Sequence, residues 1–289
     1  MKKEKKSAKF SKTVIDIAGT LLVVFFIQSF FIQGYSTPTG SMLNTILIGD
    51  KMFFNQFIYG GSTPRNIPLT DIKLPYFKLP SIREPKKNDI VNFDFPGQRD
   101  EIVPTENIQY LKRIIGEPGD TVLIVNRVLY VNSIVFPNPE ASVFSTPITH
   151  KDVVDPRTFP KGKGWNEDNY GPLYIPKQGD VIELDAKNFE QWDVFIKREG
   201  HTPVLKNDGT ILIDGKQTDK YTVERNYYFM MGDNRNNSLD GRYWGYVPRE
   251  NIVGKALITY WSWNSEIPFN DFGRLIGSIR WDRIGRLIK

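Results

Sequence analysis

A mostly β fold behind one N-terminal transmembrane helix is what this 289-residue sequence predicts. Three observations carry the prediction. Val14–Ile32 is a run of 19 mostly apolar residues behind a Lys-rich tail; as a helix it spans about 28 Å, near the hydrocarbon thickness of a bilayer. Beyond it, short runs of Val, Ile, Phe and Tyr are punctuated by Gly, Pro, Asn and Asp, the pattern of strands and tight turns. One turn-then-strand unit also recurs, at Pro85–Val91, Pro118–Val122 and Pro176–Ile182. In each, Pro presets the turn, Gly or Asn tolerates positive φ, and an Asp caps the turn before a β-branched residue starts the strand.

The tail, residues 1–12, holds six Lys and one Glu, which accounts for the whole net charge of +5. The other residues balance at 32 basic and 32 acidic. An excess confined to one short tail argues against nucleic acid as a partner and for a membrane surface. Asp16 lies at the entry end of the apolar run, and Gln28 and Ser29 lie deeper without preventing insertion. The exit, Gln33-Gly34-Tyr35, lacks a small-x-small cleavage pattern, so residues 13–33 read as a retained anchor and not a cleaved leader. Lys-rich flanks stay in the cytoplasm, which places everything after Gly34 outside. With 40% hydrophobic and 25% charged residues, the remainder is neither disordered nor polytopic. The absence of Cys removes disulfide scaffolds, Cys-ligated metals and Cys nucleophiles.

Strands are expected at Asp89–Phe95, Ile108–Ile115, Tyr227–Met231 and Val253–Tyr260, forming a core sheet from residues 34–123 and 226–289. Hairpins are expected at residues 122–132 and 211–217. Residues 124–225, with a Pro/Gly/Lys-rich stretch at 155–171, read as an inserted second β lobe. The basic segment 271–289 fits either a closing strand or an interfacial helix.

Three segments could carry chemistry. Thr37-Pro38-Thr39-Gly40-Ser41-Met42 sets a Ser after Gly in a tight turn just beyond the anchor, where a hydroxyl and its backbone N–H can both be presented. A serine nucleophile needs a base. The two histidines, His150 and His201, lie in polar stretches of the insertion with no supporting carboxylate motif, which disfavours a Ser-His-Asp triad. The alternative base is a neutral Lys amine. Lys112 sits in the β-forming run Tyr110–Gly116, where alternation puts Tyr110, Lys112 and Ile114 on one face and Leu111, Arg113 and Ile115 on the other. Periodicity alone reads Lys112 as a surface lysine beside a surface arginine; burial would lower its pKa by penalising the ammonium. The third segment, Tyr227–Gly245, is an Asx-rich turn holding Ser238, Asp240 and Arg242. There Asp240 and Arg242 could be a local ion pair of little consequence if exposed.

Taken together these segments resemble the bacterial type I signal peptidases, membrane-bound serine endopeptidases with a Ser–Lys dyad. Thr39–Met42 followed by Gly49-Asp50 is similar to the family's nucleophile box, YLKRIIGEPGD (110–120) to its base box, and residues 228–256 to its last box. The boxes occur in the family's order behind the anchor. The resemblance implies that Ser41 is the nucleophile and Lys112 the general base. It implies an oxyanion hole of the Ser41 N–H and the Thr39 hydroxyl, with Ser238 orienting the Lys and Asp240–Arg242 as a supporting ion pair. Met42, Ile46, Tyr110 and Leu111 would line shallow apolar pockets for small side chains at −1 and −3. The β core becomes an extracytoplasmic catalytic domain. Exported preproteins are the implied substrates and the lipid bilayer a partner. No metal, cofactor or obligate protein partner is implied. Asn44, Asn88, Asn236 and Gly241 stand where the family usually has Pro, Gly, Asp and Ser, and put local turn geometry in question. Two other classes compete: a membrane-anchored β module that binds envelope components without catalysis, and a Ser–Lys self-cleaving repressor. The anchor, and the absence of a basic helix-turn-helix segment before Ser41, disfavour the repressor.

Overall fold

In the computed structural model, which describes residues 2–63, 73, 75, 77–106 and 108–289, the apolar run lies in one helix, α1 (Lys2–Phe30). Within it, Lys12–Phe30 is long and apolar enough to cross a membrane, with a mean hydropathy of 1.9. Its Leu21, Leu22 and Ile15 are more than 60% exposed, and only its C-terminal end, at Ser29, is buried among the described residues. The helix stops two residues before the expected end of the apolar run. Ile32–Ser36 instead forms strand β1, antiparallel to β2 (Asp50–Asn55) in the register Ile32↔Asn55 to Ser36↔Lys51. Where the helix stops, Gly61 packs closely against it: a Cβ there would lie 2.1 Å from the Phe30 carbonyl oxygen.

β3 (Ile90–Asp94), β4 (Gln109–Gly116), β5 (Thr121–Val125), β6 (Val128–Val131), β7 (Ile134–Val135), β8 (Tyr170–Tyr174) and β9 (Val181–Glu183) follow. Helix α2 (Phe189–Arg198) comes next, then β10 (Pro203–Leu205), β11 (Ile211–Ile213), β12 (Lys216–Gln217), β13 (Lys220–Thr222) and β14 (Tyr227–Met231). Helix α3 (Gly241–Trp244), β15 (Val247–Pro248), β16 (Ile252–Ser262) and α4 (Phe272–Gly277) complete the chain. The main sheet has seven strands in the order β1-β2-β16-β3-β4-β14-β15. The expected core strands all lie in it, within two residues of their expected ends. Three smaller sheets, β7-β6-β5-β8, β10-β11-β12 and β13-β9, are built between β4 and β14. They share a core with the main sheet: Val122, Leu129, Leu173 and Ile196 pack in one cluster with Ile115, Phe229 and Met231.

The recurring turn forms as its chemistry requires. The Asp89, Asp120 and Asp180 carboxylates each accept the backbone N–H three residues earlier, at 3.0, 2.8 and 2.8 Å. The residues before them, Asn88, Gly119 and Gly179, take φ of 70°, 91° and 88°, a region open to Gly and tolerated by Asn. A fourth copy precedes β2, with Gly49 at φ 89° and Asp50 accepting from the Leu47 N–H at 2.8 Å. Both hairpins form, on Asn126-Arg127 and Asp214-Gly215, all four residues at positive φ.

β4 is an interior strand, paired with β3 on one edge and β14 on the other. Both of its faces are covered, so from Leu111 onward every side chain is buried. This overturns the surface reading of Lys112 and Arg113, which are each 4% exposed. The segment 271–289 is neither a closing strand nor one helix. After α4 it makes a 3₁₀ turn at Trp281–Arg283 and returns to the sheet, where Leu287 bridges to Ile258 and Ile288 packs beside Met42 and Ile46.

Candidate active site

Ser41 sits in a tight turn closed by Leu43 N–H on the Gly40 carbonyl (3.0 Å) and Ile46 N–H on the Met42 carbonyl (2.8 Å). Asn44 in this turn has φ 71°, which proline, locked near −65°, cannot adopt. The Lys112 ammonium nitrogen lies 2.9 Å from Ser41 Oγ and 3.1 Å from the Leu111 carbonyl oxygen. Its flanks are aromatic, with the Tyr110 ring centroid at 5.3 Å and the Trp244 centroid at 5.9 Å. Burial penalises the ammonium and lowers its pKa to about 8, against an opposing pull from the Asp240 and Asp233 carboxylates. An amine with that value is available in its neutral form near physiological pH, within reach of a hydroxyl proton.

The Asx-rich segment wraps the Ser41 turn. Asn234 N–H donates to the Ser41 carbonyl and its Nδ2 to the Gly40 carbonyl, both at 3.0 Å. Asp233 accepts from Thr45 Oγ1 at 2.6 Å and takes a two-point contact from Arg113 at 2.9 and 2.8 Å. Gly232 admits the turn because it has no side chain: a Cβ there would lie 2.5 Å from the Ser41 carbonyl oxygen and 2.2 Å from Ser238 Oγ. Ser238 Oγ is buried there without a hydrogen-bond partner; the structure gives it no bond to Lys112. Asp240 and Arg242 are no surface pair, being 0% and 1% exposed with a contact of 2.8 Å. Asp240 also caps α3 and accepts the Gly232 N–H at 3.1 Å. Burial alone would raise its carboxyl pKa, but the Arg242 charge and hydrogen bonds outweigh that and hold it below the ordinary range.

A second support comes from the far end of the chain. Arg283 makes a two-point ion pair with buried Asp50 and donates to the Thr45 carbonyl at 3.0 Å. Ser262 Oγ donates to the same carboxylate at 2.6 Å, and Arg280 donates to the Ile48 carbonyl at 3.0 Å.

Met42, Ile46 and Leu111 come together in one buried cluster with Met52, Phe54, Ile90 and Ala256. Tyr110 does not join them; it packs on the other face of β4 against Phe95 and Trp244. Thr39 is exposed, two residues before Ser41. Asn88 adopts the left-handed conformation that its usual Gly would. At Gly241 a Cβ would lie 2.8 Å from the Met230 carbonyl oxygen, so the usual Ser would need the backbone to shift. Asn236 binds the Ser145 N–H and Glu167. His201 does have carboxylate partners, Asp214 at 2.6 Å and Glu224 at 2.8 Å, but they belong to the small sheets and not to Ser41. Sequence reasoning assigned no role to Asn234, Asp233 or Arg283; nothing in local spacing connects them to the Ser41 turn.

Comparison with known proteins shows the family. Residues 10–261 match the family model described as signal peptidase, peptidase S26. A signal peptidase I from Buchnera aphidicola subsp. Schizaphis graminum is 31% identical over 271 residues, covering 89% of this chain and 77% of the relative. One from Pseudomonas aeruginosa is 30% identical over 254 residues, covering 84% and 69%. With a family model matched over most of its length, the chain belongs to the signal peptidase family, peptidase S26, a family of serine peptidases.

Proposed function

We propose that this protein removes signal peptides from exported preproteins, cutting after small residues at −1 and −3, with Ser41 as nucleophile and Lys112 as general base. The observation that carries the reading is the 2.9 Å contact between a buried, pKa-lowered Lys112 amine and Ser41 Oγ. Neutral Lys112 takes the Ser41 proton as Oγ attacks the scissile carbonyl. The Ser41 N–H and the Thr39 hydroxyl donate to the oxyanion; one such donor is typically worth about 10²–10³ in rate. The ammonium then protonates the leaving amine, and water, deprotonated by the same Lys, releases the acyl group. Buried Ser238 Oγ, which lacks a partner, is the acceptor we assign to the Lys112 ammonium. Met42, Ile46 and Leu111 supply an apolar floor for small side chains.

Helix α1 anchors the protein as a single span of the bacterial cytoplasmic membrane. The tail at residues 1–12 stays in the cytoplasm by the positive-inside rule. Residues 34–123 and 226–289 form the catalytic core outside, and 124–225 the inserted lobe. The substrate runs as an extended strand beside β4, a mode of recognition that uses unpaired backbone groups at a sheet edge.

The test is incubation of detergent-solubilised protein with a preprotein carrying an Ala-x-Ala site, with products mapped by mass. Wild type should cleave after the second Ala, and Ser41→Ala and Lys112→Ala should not. Thr39→Val should lose about 10²-fold or more in rate, while Thr39→Ser keeps most of it. Cleavage by Ser41→Ala would place the nucleophile elsewhere.

A further inference from the structure

Among the described residues, two backbone edges of the main sheet lack a strand partner and face each other across a gap that the Tyr35 side chain spans. Along β3 and β4, Phe95 N–H donates to the Ile108 carbonyl and Ile114 N–H to the Asp89 carbonyl. With the register Asp94↔Gln109 and Asn92↔Leu111, the alternation of an antiparallel ladder turns the amides and carbonyls of Gln109 and Leu111 away from β3. β14 does not reach them, since its register on β4 runs only from Gly116 to Arg113. β1 pairs with β2 alone. There, Thr37 N–H to Asp50 and Gln56 N–H to Phe31 leave Gly34 and Ser36 facing the free edge. Across the gap, the Tyr35 hydroxyl donates to the Gln109 carbonyl at 3.0 Å, and Gln33 Nε2 lies 3.4 Å from Gln109 Oε1.

We propose that Tyr35 is a gate that sets substrate affinity: its hydroxyl occupies the Gln109 carbonyl in the free enzyme and gives it up to the N–H of the substrate's −3 residue. The inference rests on the proposed function. The −1 carbonyl must lie at Ser41 and Lys112, and β14 blocks the direction of Ile114, so the −3 residue runs back toward Gln109. That direction makes the substrate parallel to β4. A parallel neighbour opposite Tyr110 donates its N–H to the Gln109 carbonyl and accepts from the Leu111 N–H. Tyr110 stands two residues before Lys112, as −3 stands two before −1. The Leu111 carbonyl is already engaged by Lys112, which leaves Gln109 as the acceptor that changes partner.

The exchange sets the cost of entry at about one neutral hydrogen bond. The experiment compares wild type and Tyr35→Phe on two peptides that differ only by N-methylation of the −3 amide. On the parent peptide Tyr35→Phe should lower KM by about 2–10-fold, the range of one such bond, with kcat unchanged. On the N-methylated peptide the two enzymes should have equal KM. A merely structural tyrosine would leave the parent KM unchanged or raise it on removal of the hydroxyl, and either result overturns the gate while cleavage by wild type keeps the proposed function. Cleavage of neither peptide by wild type would overturn both.

Discussion

Replacing Lys112 by Met should abolish cleavage and, at neutral pH, make the protein more stable. The lysine is 4% exposed and its pKa falls from 10.5 to about 8. At about 1.36 kcal/mol per pH unit, the folded state bears about 3 kcal/mol to hold the ammonium at pH 7. Met fills nearly the same volume without charge. It forfeits the hydrogen bond to Ser41, a net of about 1 kcal/mol, so Lys112→Met should gain about 2 kcal/mol at pH 7. The sign follows from proton linkage. Between pH 8 and 10.5 the unfolded chain holds a proton at this amine that the folded chain has released, so wild-type stability rises with pH and the variant's lead disappears by about pH 10. Urea unfolding of both proteins in the same detergent, at pH 7 and pH 10, measures the difference. In parallel, wild-type kcat/KM should climb about tenfold per pH unit below 8 and level off above it. Identical pH dependence of stability in the two proteins would refute the buried, pKa-lowered amine, and a flat activity profile from pH 6 to 9 would refute its role as base.

Two further substitutions probe the scaffold. Gly232→Ala sets a methyl group 2.5 Å from the Ser41 carbonyl oxygen and 2.2 Å from Ser238 Oγ; kcat should fall by at least about 10²-fold, as a misplacement near 1 Å does, with the circular-dichroism spectrum retained. Arg283→Met leaves the 0% exposed Asp50 without its main cation. It should cost about 3–5 kcal/mol by urea unfolding at pH 7, whereas Arg274→Met, at an exposed pair, should change stability by less than about 1 kcal/mol.

How much of this was legible in the sequence depended on the range of the interaction. The Asp-capped turns are local: each carboxylate binds an N–H three residues away, so Pro, Gly or Asn, and Asp in order are enough to read them. The same holds for Asn126-Arg127 and Asp214-Gly215 in their hairpins. Strand positions were readable from apolar runs, but strand environment was not. Alternation predicts one buried face, and β4 has two because β3, β14 and both covering layers close around it. That is why Lys112 and Arg113 read as surface residues and are not. The proximity of Ser41 and Lys112 was reached through three separated boxes in family order; the contacts that hold the Ser41 turn in place gave no local signal. Asn234 acts through backbone carbonyls, which carry no residue identity for a sequence pattern to match, and Arg283 reaches Asp50 across more than 230 residues.

The clamps on the Ser41 turn come from far along the chain: Asp233 reaches back 188 residues to Thr45, Asn234 194 residues to Gly40, and Arg283 238 residues to Thr45. During synthesis the residues bearing Ser41 leave the ribosome well before the groups that shape its turn. Contacts of such long sequence separation are the slowest to close. A partly made chain can therefore form its helix and begin its sheet while the Ser41 turn is still unshaped, and that turn takes its shape only as the fold closes around it.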